Sequence, residues 1–518
     1  MGKKRSVLLA IVILGTALLL VAGIQYMTGT KRIAVSGPAT ECQSAPSPVV
    51  DAATRAGGHS PTPASVPSKA TAPTRPTPTP SSSPTPRPTL TPTPSPPPVF
   101  GVEMRRVNRE QGLPLAQAAG VYWLRRNGLR WADVEPVPGA RHWKAVAALE
   151  TELQAAYAAG LQTILVVRRT PDWAQKVPGH YCGPVAPEAM DELARFMAEA
   201  VDRYKNPPFG VKYWEIWNEP DIDPRLVGAD SPFGCWGDQD DEYYGGKYYA
   251  RMLQSVYPAI KAADPEAQVL IGGLLLDKDP AKDELPNPPA QFLAGILRGG
   301  GGDFFDIVSF HGYVSYRGQL GDWGRQAPAW SYRGGNPAGK VDFLREVLAT
   351  YSYEKPLMLT EAGLLCWGCP SPPPAAYLEA QAAYVPRLYV RSIAWGLLGT
   401  FWYTLDSPGW REAALLDRDQ RPRPAYRAFS TMTALLKDAH YLRPVDDLAG
   451  LEGYVFERAD EEGEIWVLWS PDGTEITLPL PSGLQRAYDL FGVLLEPEGG
   501  MVEIGFDAVY LEISPARP

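Results

Sequence analysis

Two glutamates close apolar runs far apart in the chain. Glu219 follows residues 211–217 in Trp217-Asn218-Glu219-Pro220, and Glu361 follows residues 356–360 in Leu359-Thr360-Glu361-Ala362-Gly363. Two carboxyl groups facing each other across one pocket can divide a substitution at an acetal carbon between them. One, held protonated by burial and by its neighbour's charge, gives its proton to the departing oxygen. The other attacks the carbon, and the first then activates water. That chemistry breaks a glycosidic bond and requires neither metal nor cofactor, so none is expected for catalysis. The spacing expected for attack by a carboxylate is about 5–5.5 Å.

The elements that carry these residues alternate. Strand-like runs fall at 101–104, 121–125, 161–167, 211–217, 268–272, 306–310, 356–360 and 399–403, with helix-like stretches between them, such as 186–204 and 244–263. Continuous apolar strands separated by amphipathic helices indicate a parallel sheet. Eight such units predict an α/β fold, a (β/α)8 TIM barrel, over residues 100–440. An open doubly wound sheet is the alternative, but no glycine-rich phosphate fingerprint follows the first strand. Barrel active sites lie at the carboxyl ends of strands, and strands four and seven share one mouth. After residue 440 short β-type runs and turns such as Asp472-Gly473 predict a small antiparallel β-sandwich over 441–518.

Trp217-Asn218-Glu219-Pro220 at strand four, with Thr360-Glu361-Ala362-Gly363 at strand seven, resembles the large clan of retaining (β/α)8 glycosidases. The likeness is greatest to the xylosidase-like family 39 and the cellulase-like family 5. It covers about residues 100–440 and extends to the C-terminal sandwich. The resemblance implies that Glu219 is the general acid/base and Glu361 the nucleophile. It also implies a substrate-binding shell. Asn218 would bind the sugar 2-hydroxyl, and Arg125 would keep the nucleophile ionised. His311 would line the sugar subsite, Tyr313 would hydrogen-bond the nucleophile, and Trp402 would form the platform under the sugar. Three of these residues have a structural alternative. His311 and Trp402 could be ordinary core residues, and Arg125 could pair with Asp133 or Glu135. Glu135 itself reads as structural, because it lies many residues past strand two.

Trp173, Trp236, Trp323, Trp330, Trp367 and Trp410 fall in predicted loops, several of them on the catalytic face. They read as a cleft with sugar subsites, the alternative being loops packed on one another. An open cleft favours endo-action on a β-linked chain, with xylan, glucan, mannan and exopolysaccharide as candidate substrates. A barrel that binds sugar without cleaving it is the alternative function. Cys182, Cys235, Cys366 and Cys369 also lie in these loops. The preferred pairing is Cys182–Cys235 with Cys366–Cys369, and a four-thiolate zinc site or free thiols are the alternatives.

The net charge of −9 provides no basic footprint, so no nucleic-acid partner is expected. Lys3, Lys4 and Arg5 precede an apolar run over 7–24. A run near ~20 residues can span a bilayer, with the basic cluster inside. Residues 1–30 are therefore expected to be a cytoplasmic stub and transmembrane anchor, giving a single-pass membrane protein with an extracytoplasmic catalytic domain. Secretion after signal cleavage is the alternative. Residues 31–99 alternate Pro with Thr and Ser and include Cys42. Such a segment buries too little to order itself and is expected to be a disordered, semi-rigid linker.

Overall fold

The computed structural model describes residues 97–107, 112–229, 231–318, 321–458 and 463–514. The expected anchor at 1–30, most of the linker at 31–99 and Cys42 lie outside the described residues. Among the described residues, no helix is long and apolar enough to cross a membrane.

Eight parallel strands form the first body: β1 Phe100–Glu103, β2 Trp123–Arg130, β3 Gln162–Arg168, β4 Tyr213–Asn218, β5 Gln268–Gly273, β6 Val308–Ser315, β7 Leu357–Leu365 and β8 Gly399–Tyr403. Their order in the sheet is β5-β4-β3-β2-β1-β8-β7-β6. Parallel bridges Leu270–Ile307 and Leu274–Phe310 join the two edges, so the sheet closes into a barrel. A helix follows each strand: α1 Leu113–Ala118, α2 Ala147–Ala158, α3 Met190–Tyr204, α4 Gly246–Ala263, α5 Gln291–Arg298, α6 Ala338–Thr350, α7 Ala375–Ala394 and α8 Pro424–Leu436. Helix α3 shows why. Leu193, Phe196, Met197, Ala200, Val201 and Tyr204 recur at helical spacing and are all buried. β6 and β7 run several residues past their predicted ends, so His311, Tyr313 and Glu361 lie within strands rather than after them.

The barrel interior is tiered. Trp123, Ile164, Leu270, Ile307, Met358 and Phe401 form one apolar floor. Side chains alternate along a strand, so two residues further on the same face returns. Two steps up from Trp123, Met358 and Phe401 stand Arg125, Thr360 and Tyr403, and two up from Tyr213 and Ile307 stand Glu215 and Ser309. The polar tier is thus built directly on the apolar one.

The C-terminal part adds β9 Ala439–Pro444, β10 Glu452–Arg458, β11 Glu464–Trp469, β12 Ile476–Pro479, β13 Leu484–Tyr488, β14 Met501–Ile504 and β15 Val509–Ile513. Five form an antiparallel sheet in the order β13-β15-β11-β10-β9, and β12 pairs with β14. Val455, Leu468 and Leu511 of the larger sheet share an apolar core with Val502 and Ile504 of the smaller. The alternate residues Phe456, Val467, Trp469 and Tyr510 join the barrel's core instead. Both faces of the larger sheet are therefore covered, which is why 465–469 reads as a continuous apolar run. Helix α7 lies between barrel and sheet and is buried at every position from 380 to 392.

A buried charge network seals that junction. Arg391 of α7 donates to both oxygens of Glu452, at 2.8 and 2.7 Å, and also to Asp322 in the β6–α6 loop. Arg325 of that loop reaches Glu452 at 2.9 Å. Removing one partner of a buried pair strands the others, at a cost of about 3–5 kcal/mol. Glu452→Ala is therefore expected to lower the denaturant midpoint sharply. A midpoint unchanged from wild type would show that the network contributes nothing.

Candidate active site

Glu219 and Glu361 meet at the barrel mouth. Carboxylate oxygens of the two, with a ring nitrogen of His311, lie within 4.8 Å of one another. Both glutamates are almost wholly buried. Each is turned inward by a local departure from regular strand. Trp217 and Glu219 have φ of 71° and 50°, left-handed values that cost bulky residues about 1–3 kcal/mol each and cluster at functional sites. At β7, Leu359 pairs with Phe310 but Glu361 pairs with His311, so Thr360 is an inserted bulge residue. A bulge re-aims the side chain that follows it. Thr360 and Glu361 can then both face inward, one to Glu215 at 3.3 Å and the other to Arg125 at 2.5 Å.

Arg125 organises the floor of the site. Its Nε donates to Glu215 at 2.6 Å, Nη1 to Glu103 and Glu361 at 2.5 Å each, and Nη2 to Asn218 Oδ1 at 2.6 Å. Burial opposes its charge, but Glu215, Glu103 and Glu361 together outweigh burial and hold the guanidinium charged. Arg125 is thus fully enclosed and saturated by these partners. It positions Glu361 and Asn218, and its full burial leaves it no exposed surface for the expected place in the substrate-binding shell. Its partners are therefore those of the expected active-site role, and not Asp133 or Glu135 of the structural alternative. Glu135 accepts from Trp131 Nε1 at 2.6 Å and Gly139 N at 2.7 Å and is structural.

The two carboxyls have unequal surroundings. Glu361 accepts from Arg125 and from the Tyr313 hydroxyl. Burial pushes Glu219 up to about 7, against the pull of Arg125 and Lys340. Burial likewise pushes Glu103 up to about 8, only partly offset by Arg125. Asn218 gives its oxygen to Arg125, and its amide nitrogen makes no hydrogen bond among the described residues.

His311 corrects the expectation of a subsite wall. It is fully buried, with Nδ1 at 2.9 Å from Glu219 and 3.6 Å from Glu361. Burial lowers its pKa to about 4, so the ring is neutral at neutral pH. It supports the two carboxyls from below. Its Nε2 packs against Gly273, where a Cβ would lie 2.1 Å away. Gly273→Ala must displace the ring and with it the Glu219 contact. Displacement of this kind costs about 10²-fold in rate. The expected result is a fall in kcat of that order; wild-type kcat would show that the His311 contact is dispensable.

Trp402 is not a platform either. It is fully buried, packs on Tyr384 of α7 and donates from Nε1 to Ala413 O at 2.6 Å. Its predecessor Phe401 occupies the barrel floor, so Trp402 points outward. Tyr403 is the inward residue, edge-on to Tyr313 at 5.9 Å. Burial first, then Glu103 and Glu361, raise the Tyr403 hydroxyl's pKa and keep it protonated.

Sequence reading did not find Glu103, Glu215 or Tyr403. For Glu215 and Tyr403 the available signal was their two-residue spacing above Tyr213 and Phe401. Of the six loop tryptophans, Trp236, Trp323 and Trp330 are buried, and Trp173 packs edge-on against Trp131 at 5.3 Å. Only Trp367 and Trp410 are exposed, at 43% and 41%. The cysteines pair as Cys182–Cys235 and Cys366–Cys369, the preferred pairing.

The family model described as cellulase (glycosyl hydrolase family 5) matches residues 128–379. Similar solved structures include a family 39 glycoside hydrolase from the gut symbiont Bacteroides cellulosilyticus WH2, with TM-score 0.60, 22% identity, and 81% of each chain covered. A glucosidase from Croceicoccus marinus gives TM-score 0.54 and 13% identity over 81% of this chain and 96% of that one. A family 30 endoxylanase from Clostridium papyrosolvens C71 gives 0.52 and 10% over 82% and 97%. At these identities the likeness is one of fold. No curated protein sequence matches the chain.

Proposed function

We propose that this chain, a glycoside hydrolase of the (β/α)8 clan, cleaves β-linked O-glycosidic bonds of a polysaccharide or oligosaccharide with retention of configuration. The observation that carries the proposal is the close, unequal pair. Oxygens of Glu219 and Glu361 lie within 4.8 Å, compatible with the ~5–5.5 Å of retaining centres and short of the ~6.5–9.5 Å that accommodates a water in inverting ones. Glu361, hydrogen-bonded by Arg125 and Tyr313, attacks the anomeric carbon. The bond to the leaving oxygen breaks as Glu219 gives that oxygen its proton. Glu219, now a carboxylate, takes a proton from water. The water oxygen attacks the same carbon, and Glu361 leaves. The free amide nitrogen of Asn218 donates to the 2-hydroxyl, and Tyr403 lies under the sugar in place of Trp402.

Aryl glycosides of glucose and xylose are the first substrates to try. The test is the anomer formed first, followed by NMR. A β product from a β substrate is expected, and an α product overturns retention.

The same proposal places residues 100–440 outside the cytoplasm, joined by the linker to an anchor at 1–30, with 441–518 as an accessory domain. Two disulfides support an oxidising compartment. Protease treatment of intact cells should release the catalytic domain; full protection would contradict the location.

A further inference from the structure

The two exposed tryptophans are continuous with the catalytic centre. Trp410, in the turn Trp410–Glu412 after β8, meets Tyr313 edge-on at 4.9 Å, and Tyr313 donates to Glu361. Trp367, in the loop after β7, meets Trp410 edge-on at 5.8 Å. An aromatic series thus runs from the nucleophile out to solvent.

This surface is fixed in place. Cys366 and Cys369 close a four-residue disulfide loop around Trp367. Cys366 N donates to Arg411 O at 3.0 Å, tying the β7 loop to the β8 loop. The Tyr377 hydroxyl of α7 bonds Leu364 O at 2.7 Å, at the end of β7, and Glu412 O at 3.1 Å, in the turn after β8. The Arg411 guanidinium lies 4.3 Å from the Trp367 ring and covers one of its faces. A large apolar ring left nearly half exposed costs hydration free energy, whereas Trp236, Trp323 and Trp330 of the other loops are buried. Spending a disulfide and an inter-loop ladder to hold such rings at a cleft mouth suits recognition. Rigid aromatic surfaces bind with little entropy loss, and their faces match the apolar faces of pyranose rings.

We propose that Trp367 and Trp410, presented by the Cys366–Cys369 loop, form a sugar-stacking subsite beyond the catalytic centre, so that the substrate is a chain of several sugar units rather than a single terminal glycoside. This inference rests on the glycosidase reading and names the substrate class of that site. The subsite makes the enzyme's preference for longer substrates depend on Trp367, which lies two aromatic rings away from Glu361.

The experiment compares kcat/KM for p-nitrophenyl β-glycosides with that for β-1,4-linked xylo- and cello-oligosaccharides up to the hexasaccharide. The ratio of hexasaccharide to aryl glycoside is expected to fall about tenfold in Trp367→Ala. Trp367→Phe should restore much of it, and Cys366→Ser combined with Cys369→Ser should lower it in the same direction. A ratio within twofold of wild type in Trp367→Ala overturns the subsite. Equal losses on both substrate types also overturn it, because they mark a general disturbance of the mouth. Binding of the same hexasaccharides to Glu361→Gln, with and without Trp367→Ala, separates the two readings. If wild type hydrolyses neither substrate type, the reading of a xylan- or glucan-cleaving glycosidase fails. The subsite then stands on a tenfold weaker hexasaccharide affinity in the double variant and falls without one.

Discussion

Glu361→Ala is expected to reduce kcat/KM by at least about 10⁴-fold, ~5.5 kcal/mol of transition-state stabilisation. The reason is covalent. Without the Glu361 carboxylate no group is placed to form the glycosyl–enzyme bond, since Glu103 and Glu215 are both engaged by Arg125 below it. The variant should fold. Glu361 is paired to Arg125, but Arg125 retains Glu103, Glu215 and Asn218. A small external anion such as azide fits where the carboxylate was. It should restore turnover of activated aryl glycosides, giving a glycosyl azide of inverted configuration. Residual activity above about one per cent of wild type, measured on protein purified free of contaminating glycosidase, would remove Glu361 as the nucleophile.

Glu219→Ala should behave differently. Loss of a general acid typically costs about 10²–10⁴-fold, and the cost depends on how much the leaving group needs a proton. Unactivated oligosaccharides should therefore suffer the full loss, while dinitrophenyl glycosides should cleave in the first step nearly as before. The pH profile carries a second signature. Burial raises Glu219 to about 7, and the protonated form is the active acid. Activity should therefore be full below that pH and fall as pH rises through about 7. In Glu219→Ala this alkaline limb should vanish. An alkaline limb that persists there belongs to another group. Glu103, raised by burial to about 8 and bonded to Arg125, is the first to examine.

Two features explain which parts of the site were legible. Glu219, Glu361, Asn218 and Tyr313 follow or end apolar runs, so a linear pass along the chain marks them. Arg125 was legible as a residue but not as a hub, because three of its partners come from β1, β4 and β7. Trp402 shows the limit most directly. In Gly399–Tyr403 every side chain is buried or nearly so. A strand covered on both faces carries no polar–apolar alternation to say which side is inward. The choice between Trp402 and Tyr403 then depends on Phe401 being part of the barrel floor, a fact of tertiary packing. The loop tryptophans failed for a related reason. A tryptophan in a loop of a large barrel can pack under neighbouring loops, and four of the six do.

From its order of residues alone this chain declared an eight-fold βα alternation, two glutamates at opposite strand ends and a β-rich tail. Those properties are local, because periodicity and strand ends are written in consecutive residues. Folding decided the rest. It placed carboxylate oxygens of Glu219 and Glu361 within 4.8 Å, gave one carboxyl a hydrogen-bonded cation and the other a desolvated pocket, and turned His311 from subsite wall into buried support. It also chose Tyr403 over Trp402 and, of the six loop tryptophans, left Trp367 and Trp410 facing the solvent. Distance, burial and charge between residues hundreds of positions apart exist only once the barrel has closed.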